Sequence, residues 1–136
     1  MVVELGAGTV TRALLAAGVP ADKLVVVEIV PDMAQHLRQT FPGVQVICGN
    51  GFDQPLVTEP DKAGRVGDVI CGLALVMLPF ETQHRVVAAM LAASPVRGFL
   101  HLSYCITLPL PSEKLGLTGK RLAWTMKNVL PGGVWR

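Results

Sequence analysis

Aromatic residues are scarce in this 136-residue chain, where four Phe, two Trp and one Tyr make up 5%. Charge is scarce too, with Asp, Glu, Lys and Arg together at 16%. A disordered chain needs high net charge and little apolar content, whereas here 51% of residues are apolar and the net charge is +2, so the chain has the means to build a core. No apolar run approaches the roughly 18 residues of a membrane-spanning helix. The start, Met1-Val2-Val3-Glu4, has neither the basic n-region nor the h-region of a secretory signal. The expectation is therefore a cytoplasmic protein. Cys48, Cys71 and Cys105 are three in number and widely spaced, which fits no zinc clip, CxxC pair or disulfide framework. They are expected to be reduced and mostly buried. His36, His84 and His101 lack metal-ligand spacing, so each is read as structural and no metal is expected. The length suits a single domain over residues 1–136.

The mean hydropathy of +0.48 is high for a soluble domain, so some apolar surface is expected to meet a membrane or a partner. Charge is divided along the chain. Residues 1–110 hold seven basic and nine acidic side chains; residues 111–136 hold Lys114, Lys120, Arg121, Lys127 and Arg136 against Glu113 alone. This basic end also carries Trp124 and Trp135, a composition suited to peripheral contact with anionic lipid headgroups.

Apolar runs alternate with stretches of helical period. Val2–Leu5 reads as a short buried strand, followed by Gly6-Ala7-Gly8-Thr9 and a helix over Thr11–Ala17 that Gly18 stops. Leu24–Ile29 is a β-branched run typical of a strand covered on both faces. Asp32–Thr40 reads as a helix with Met33, Leu37 and Phe41 on its inner stripe. Val44–Cys48 is a third strand. Residues 54–66 read as a loop, Gly67–Leu73 as a fourth strand, Glu81–Ala93 as a helix packing Val86, Val87, Met90 and Leu91 inward, and Gly98–Tyr104 as a fifth strand. No helix is expected after Pro109. This order predicts an α/β fold, a Rossmann-like, mainly parallel sheet with helices on both faces.

Four stretches at strand ends carry chemistry. Gly6 and Gly8 let the backbone turn sharply and come close to a ligand at a helix start. Glu28 lies at the end of the second strand, 20 residues after Gly8, where a doubly wound fold places an acid for ribose hydroxyls. Asn50, in Gly49-Asn50-Gly51-Phe52-Asp53, can bond an adenine amino group, with Phe52 against the ring; Asp53 can instead cap the next segment. Gly72-Leu73-Ala74-Leu75 follows the fourth strand beside the switch point.

Together these residues resemble bacterial phospholipid N-methyltransferases, class I S-adenosylmethionine-dependent enzymes related to the ribosomal RNA adenine dimethylases. The matching stretches are VVELGAGT-VTRALLAAGV, LVVVEIVPDMAQHLRQTFPGVQVI, GNGFD, CGLALVMLP, SYCITLPLP and VLPGGVWR. The resemblance implies S-adenosylmethionine as cofactor and, as substrate, the phospholipid headgroup amine of phosphatidylethanolamine or its methylated products. It places Glu4, Gly6 and Gly8 at the methionine end, Glu28 at the ribose, Asn50 at the adenine and Leu73 beside the methyl, with Ile29, Gly51 and Phe52 also among the cofactor-binding residues. Asp53 and Tyr104 are the candidates for contact with the amine. A location on the inner membrane follows.

The chain also departs from the family. Thr9 runs straight into Val10-Thr11, two residues short of the usual glycine loop, which predicts a tighter turn. Asn50 replaces an acid, and Val30 stands where Asp is frequent. The family's segment before the first strand has no counterpart here, so a truncated fold is expected. Two alternatives stay open: a nucleic-acid (rRNA adenine) methyltransferase, and a degenerate, non-catalytic binding module. The apolar Leu75–Phe80 stretch and the low net charge make a nucleic-acid partner the weaker reading.

Overall fold

The computed structural model describes residues 2–6, 8–50, 66–103, 110–125 and 132–135. Among them, ten regular elements run in the order β1 (Val2–Leu5), α1 (Thr9–Ala16), β2 (Leu24–Glu28), α2 (Pro31–Thr40), β3 (Gln45–Cys48), β4 (Asp68–Cys71), α3 (Phe80–Ala93), β5 (Phe99–Ser103), β6 (Arg121–Thr125) and β7 (Gly132–Trp135). The strands form one sheet in the order β3-β2-β1-β4-β5-β7-β6. β1 to β5 are mutually parallel. β7 runs antiparallel to both β5 and β6.

The local sequence explains most of this. β2 is buried along its whole length, as a central parallel strand covered on both faces should be. Its side chains alternate between two cores. Val25 and Val27 join Val3, Val69 and Cys71 beneath Val86, Val87 and Met90 of α3. Leu24 and Val26 join Leu37 of α2 and Phe41 just after it, with Leu14 and Leu15 of α1 against them. Helices therefore cover both faces, α1 and α2 on one and α3 on the other. Burying one such aliphatic side chain is worth about 1.5–3 kcal/mol.

The helix ends follow known chemistry. Gly18, at φ 91°, closes α1. Its N–H donates to the Leu15 carbonyl at 3.0 Å and the Val19 N–H donates to that of Leu14 at 3.0 Å, the paired bonds of a Schellman stop. Pro31 occupies the first turn of α2, where its missing N–H costs nothing.

Some expectations need correction. Met33, expected on the inner stripe of α2, is exposed; Ala34 and Leu37 carry the burial instead. Cys48 is exposed, because it ends β3 at the sheet's edge. β6 and β7 lie in the stretch after Pro109, where the sequence predicts no strand. Their signal is weak because β7 opens with two glycines, poor strand formers. Gly133 leaves space for Trp135: a methyl there would sit 3.1 Å from the indole Nε1. The predicted loop over 54–66 lies outside the described residues except for Val66. No helix among the described residues is long and apolar enough to cross a membrane.

Candidate functional site

In the strand order, β1 and β4 are neighbours whose chains leave in opposite directions, β1 through α1 toward β2 and β4 through α3 toward β5. The carboxyl ends at such a switch point leave a crevice between the diverging connections. Gly6, Gly72 and the turn after Glu28 stand around it.

Gly6 has φ 153° and Gly8 φ 80°, backbone regions that favour glycine. Their surroundings differ. A methyl on Gly6 would meet only Glu4 Oε1 at 3.7 Å and Gly72 Cα at 3.9 Å, which are ordinary contacts. A methyl on Gly8 would fall 2.3 Å from Leu37 Cδ2 and 3.1 Å from Phe41 Cε2. Gly8 is thus required by the packing of α2 beneath the turn. Gly6 is the glycine whose backbone borders the crevice, and its N–H donates to the Val27 carbonyl at 3.4 Å.

Glu4 is buried. Its Oε1 accepts from the Val10 N–H at 3.3 Å and its Oε2 from the Thr11 N–H at 2.7 Å. The Thr11 hydroxyl donates to Oε2 as well. The carboxylate therefore caps the first turn of α1 from below and neutralises its positive end. It can do so because α1 starts at Thr9, directly after Gly8, which brings the Val10 and Thr11 N–H groups within its reach. Thr11, missed by sequence reasoning, is the partner that holds Glu4. A buried acid two residues before a glycine turn, with a hydroxyl residue seven further on, is the signal that could have found it.

Glu28 ends β2 opposite Cys48 of β3. Its Oε1 accepts from the Val30 N–H at 2.8 Å, which fixes the turn into α2. Gly49 donates its N–H to the Glu28 carbonyl at 3.0 Å, so Asn50 follows immediately beside it, half-buried and engaged within the fold. Ile29 is 57% exposed next to Glu28. Leu73 is half-buried against the α3-side core, and its carbonyl accepts from the Leu75 N–H at 2.8 Å. The structure thus brings Gly6, Glu28, Ile29 and Asn50 to neighbouring strand ends, with Leu73 across β1, two residues beyond the end of β4. Glu4 and Gly8 lie one layer beneath. Gly51, Phe52, Asp53 and Tyr104 are outside the described residues.

Beyond Leu73, Val76, Met77 and Phe80 are exposed, Met77 at 80%. His101 lies in β5 and is buried; its Nδ1–H donates to the Cys71 carbonyl at 3.3 Å. Burial lowers its pKa below the ordinary histidine value, offset in part by that bond. Burial pushes the Cys71 thiol up to about 12, so it is inert at neutral pH. No group of three His, Cys, Asp or Glu residues among those described is placed to hold a metal ion.

No protein-family model and no curated protein matches the chain. Solved structures do. A TehB-like SAM-dependent methyltransferase from Corynebacterium glutamicum superposes with TM-score 0.68 at 10% identity, over 98% of this chain and 77% of that one. An rRNA methylase from Streptococcus thermophilus gives 0.62 at 18% identity, over 98% and 84%. A putative Zn-dependent alcohol dehydrogenase from Rhodobacter sphaeroides gives 0.62 at 15% identity, over 79% of this chain but only 42% of its own. These likenesses establish the fold, a mixed α/β sheet of the class I methyltransferase type.

Proposed function

We propose that this chain is an S-adenosylmethionine-dependent N-methyltransferase domain acting on the amine of phosphatidylethanolamine or its methylated derivatives. The observation that carries the cofactor reading is the Glu4 carboxylate at the start of α1. A dinucleotide-binding fold places pyrophosphate on the free N–H groups of this helix. Here those of Val10 and Thr11 are already taken by an anion, and a second anion would be repelled. A ligand that carries positive charge and no phosphate suits the turn, which separates this site from a dehydrogenase's.

The residues present fit that cofactor. The described residues place no cation against Glu4 or Glu28. A carboxylate has about four lone-pair sites, and Glu28 spends one on Val30, which leaves acceptors for two ribose hydroxyls. Ile29 offers an apolar surface and Asn50 a polar side chain for the adenine. Gly6 and Gly72 let the ligand lie close to the backbone between β1 and β4. When bound, S-adenosylmethionine supplies a methyl group on a positively charged sulfur.

The work left to the chain is alignment and exclusion of water. Leu73 and Leu78, partly buried against the α3-side core, are the apolar groups at the end of β4, and Leu75 is wholly inside that core. The exposed Val76, Met77 and Phe80 give the mouth of the crevice the character of a lipid contact rather than a base-stacking site, which favours a lipid amine over RNA. Asp53 and Tyr104 remain the candidates to accept hydrogen bonds from that amine. A place at the inner face of the cytoplasmic membrane goes with this reading.

Calorimetry with S-adenosylhomocysteine and with NADH tests the cofactor. Heat from the first and none from the second is expected; the reverse would refute the reading. Labelled methyl transfer offered mixed lipids and ribosomal RNA in parallel tests the acceptor. Label in RNA alone would replace the lipid by a nucleic acid. Cofactor binding with label in neither would leave a non-catalytic module.

A further inference from the structure

A cleft of about 510 Å³ opens at the far edge of the sheet from the glycine turn. Its position follows from strand direction. Phe99 begins β5, Lys120 precedes β6, and Trp135 ends the antiparallel β7, so all three lie at the amino-terminal edge of the parallel strands. The crevice by Glu28 lies at the carboxyl edge. The volume falls in the range of small-molecule sites, roughly 300–1,000 Å³.

The cleft exists because the segment between β5 and β6 crosses this face of the sheet, over residues 110–120, as turns and not as a helix. Leu110 and Leu117 from that segment face Leu91 of α3 and Phe99 of β5 across the opening. His101 and Trp135, paired in register on β5 and β7, contribute the floor. The His101 ring is neutral at pH 7 because burial disfavours its charged form. The interior is therefore uncharged and mostly apolar, with Ser112 and Thr118 also in its lining.

Charge is confined to the rim and has one sign. Arg97 and Lys120 line the cleft, and no described lining residue is acidic. Arg97 is already bonded to Asp68 at 2.9 Å. Lys120 has no ion-pair partner among the described residues, and next to it Arg121 lies 5.7 Å from the centre of the Trp135 ring. The cationic end of the cleft is thus the Lys120–Arg121 corner.

We propose that this cleft is a second binding site, separate from the cofactor crevice, for an amphiphile of the fatty-acid class: one apolar chain over Phe99, Leu117 and Trp135 and one anionic head at Lys120. Part of the basic, tryptophan-bearing end of the chain would then serve to hold a single anionic lipid. The proposal does not depend on methyl transfer.

The test is a titration of the full chain with decanoate below its micelle concentration, read from the Trp135 indole N–H resonance. A saturable shift is expected, with a dissociation constant below about 1 mM. Lys120→Glu should weaken binding roughly fivefold or more, because the cation that meets the headgroup is replaced by an anion that repels it. Leu117→Asp should abolish binding by charging the wall. Decylamine, with the same chain and a positive head, should not bind. No saturable shift, equal binding of decylamine, or an unchanged affinity in Lys120→Glu would each overturn the proposal. S-adenosylhomocysteine calorimetry on the same samples keeps the readings apart, since decanoate binding without that heat sinks only the cofactor assignment, and the converse sinks only the cleft.

Discussion

Replacing Gly8 by Ala adds one methyl group in a place where the fold has no room for it. Two costs follow. An L-residue at φ 80° costs about 1–2 kcal/mol over glycine. The methyl also arrives 2.3 Å from Leu37 Cδ2, well inside van der Waals contact. Leu37 is only 2% exposed, so it cannot swing into solvent, and overpacking of this kind costs about 1–3 kcal/mol. The sum, about 2–5 kcal/mol, is a large share of the 5–15 kcal/mol that holds a domain together. Urea unfolding followed by both circular dichroism and tryptophan fluorescence reads it, provided the two probes coincide. Gly6→Ala is the control, because a methyl there meets nothing nearer than 3.7 Å and only the backbone cost of about 1–3 kcal/mol remains. Leu37→Ala alone should cost about 2–5 kcal/mol as a cavity. Combined with Gly8→Ala it should cost less than the sum by at least about 1 kcal/mol, since the new methyl then occupies the space left empty. Gly8→Ala within about 0.5 kcal/mol of the parent, or strict additivity with Leu37→Ala, would refute the assignment of Gly8 to helix packing.

Glu4→Gln should lower stability by about 1–3 kcal/mol, because a charged acceptor shared by Val10, Thr11 and the Thr11 hydroxyl becomes a neutral amide with an N–H facing donors; an unchanged urea midpoint would show that the cap is dispensable. Glu28→Ala should weaken S-adenosylhomocysteine binding by about 1.5–3 kcal/mol in calorimetry, and full affinity would remove Glu28 from the crevice. His101 is neutral when folded because its pKa is lowered, so the unfolded chain binds more protons in acid. The stability it contributes should be intact above about pH 6.5 and lost as pH falls from there through the folded value; His101→Gln should flatten that part of the curve, and a parallel curve would exclude it as the source. Iodoacetamide at neutral pH should modify Cys48 and spare Cys71, as peptide mass mapping would reveal, since one is exposed and the other is buried with its pKa pushed up to about 12; equal labelling would contradict the burial.

Most of the parallel half of the fold is legible in the sequence because burial on two faces leaves a mark in one dimension. Leu24–Glu28 is continuous and β-branched because both cores need it, and Gly18 and Pro31 mark helix ends through backbone chemistry that depends on nothing distant. The strands β6 and β7 are not legible in this way. β7 pairs with β5, far away in sequence, β6 is held by β7 alone among the described strands, and what fits Gly133 into a strand is the indole of Trp135 lying over it. Met33 shows the same limit on a smaller scale, since the helical period puts it near the inner stripe while the packing buries Ala34 and Leu37 instead.

The glycine turn shows most clearly which part of a site the sequence carries. Gly6, Gly8 and Glu4 all stand out as ligand-binding residues when read along the chain, because a glycine turn at a strand end has one familiar use. In three dimensions they divide. Gly6 borders the crevice, Gly8 makes room for Leu37, and Glu4 closes the end of α1 through Thr11. The division has a consequence for binding. A carboxylate already held by three donors keeps its place before any ligand arrives, so no binding energy is spent on ordering that side chain. The direct entry from Gly8 into α1 permits this, for two more residues between Thr9 and Val10 should carry the Val10 and Thr11 N–H groups out of reach of Glu4. Such an insertion should therefore reduce stability along with Glu4→Gln, and the two changes together should cost little more than either alone.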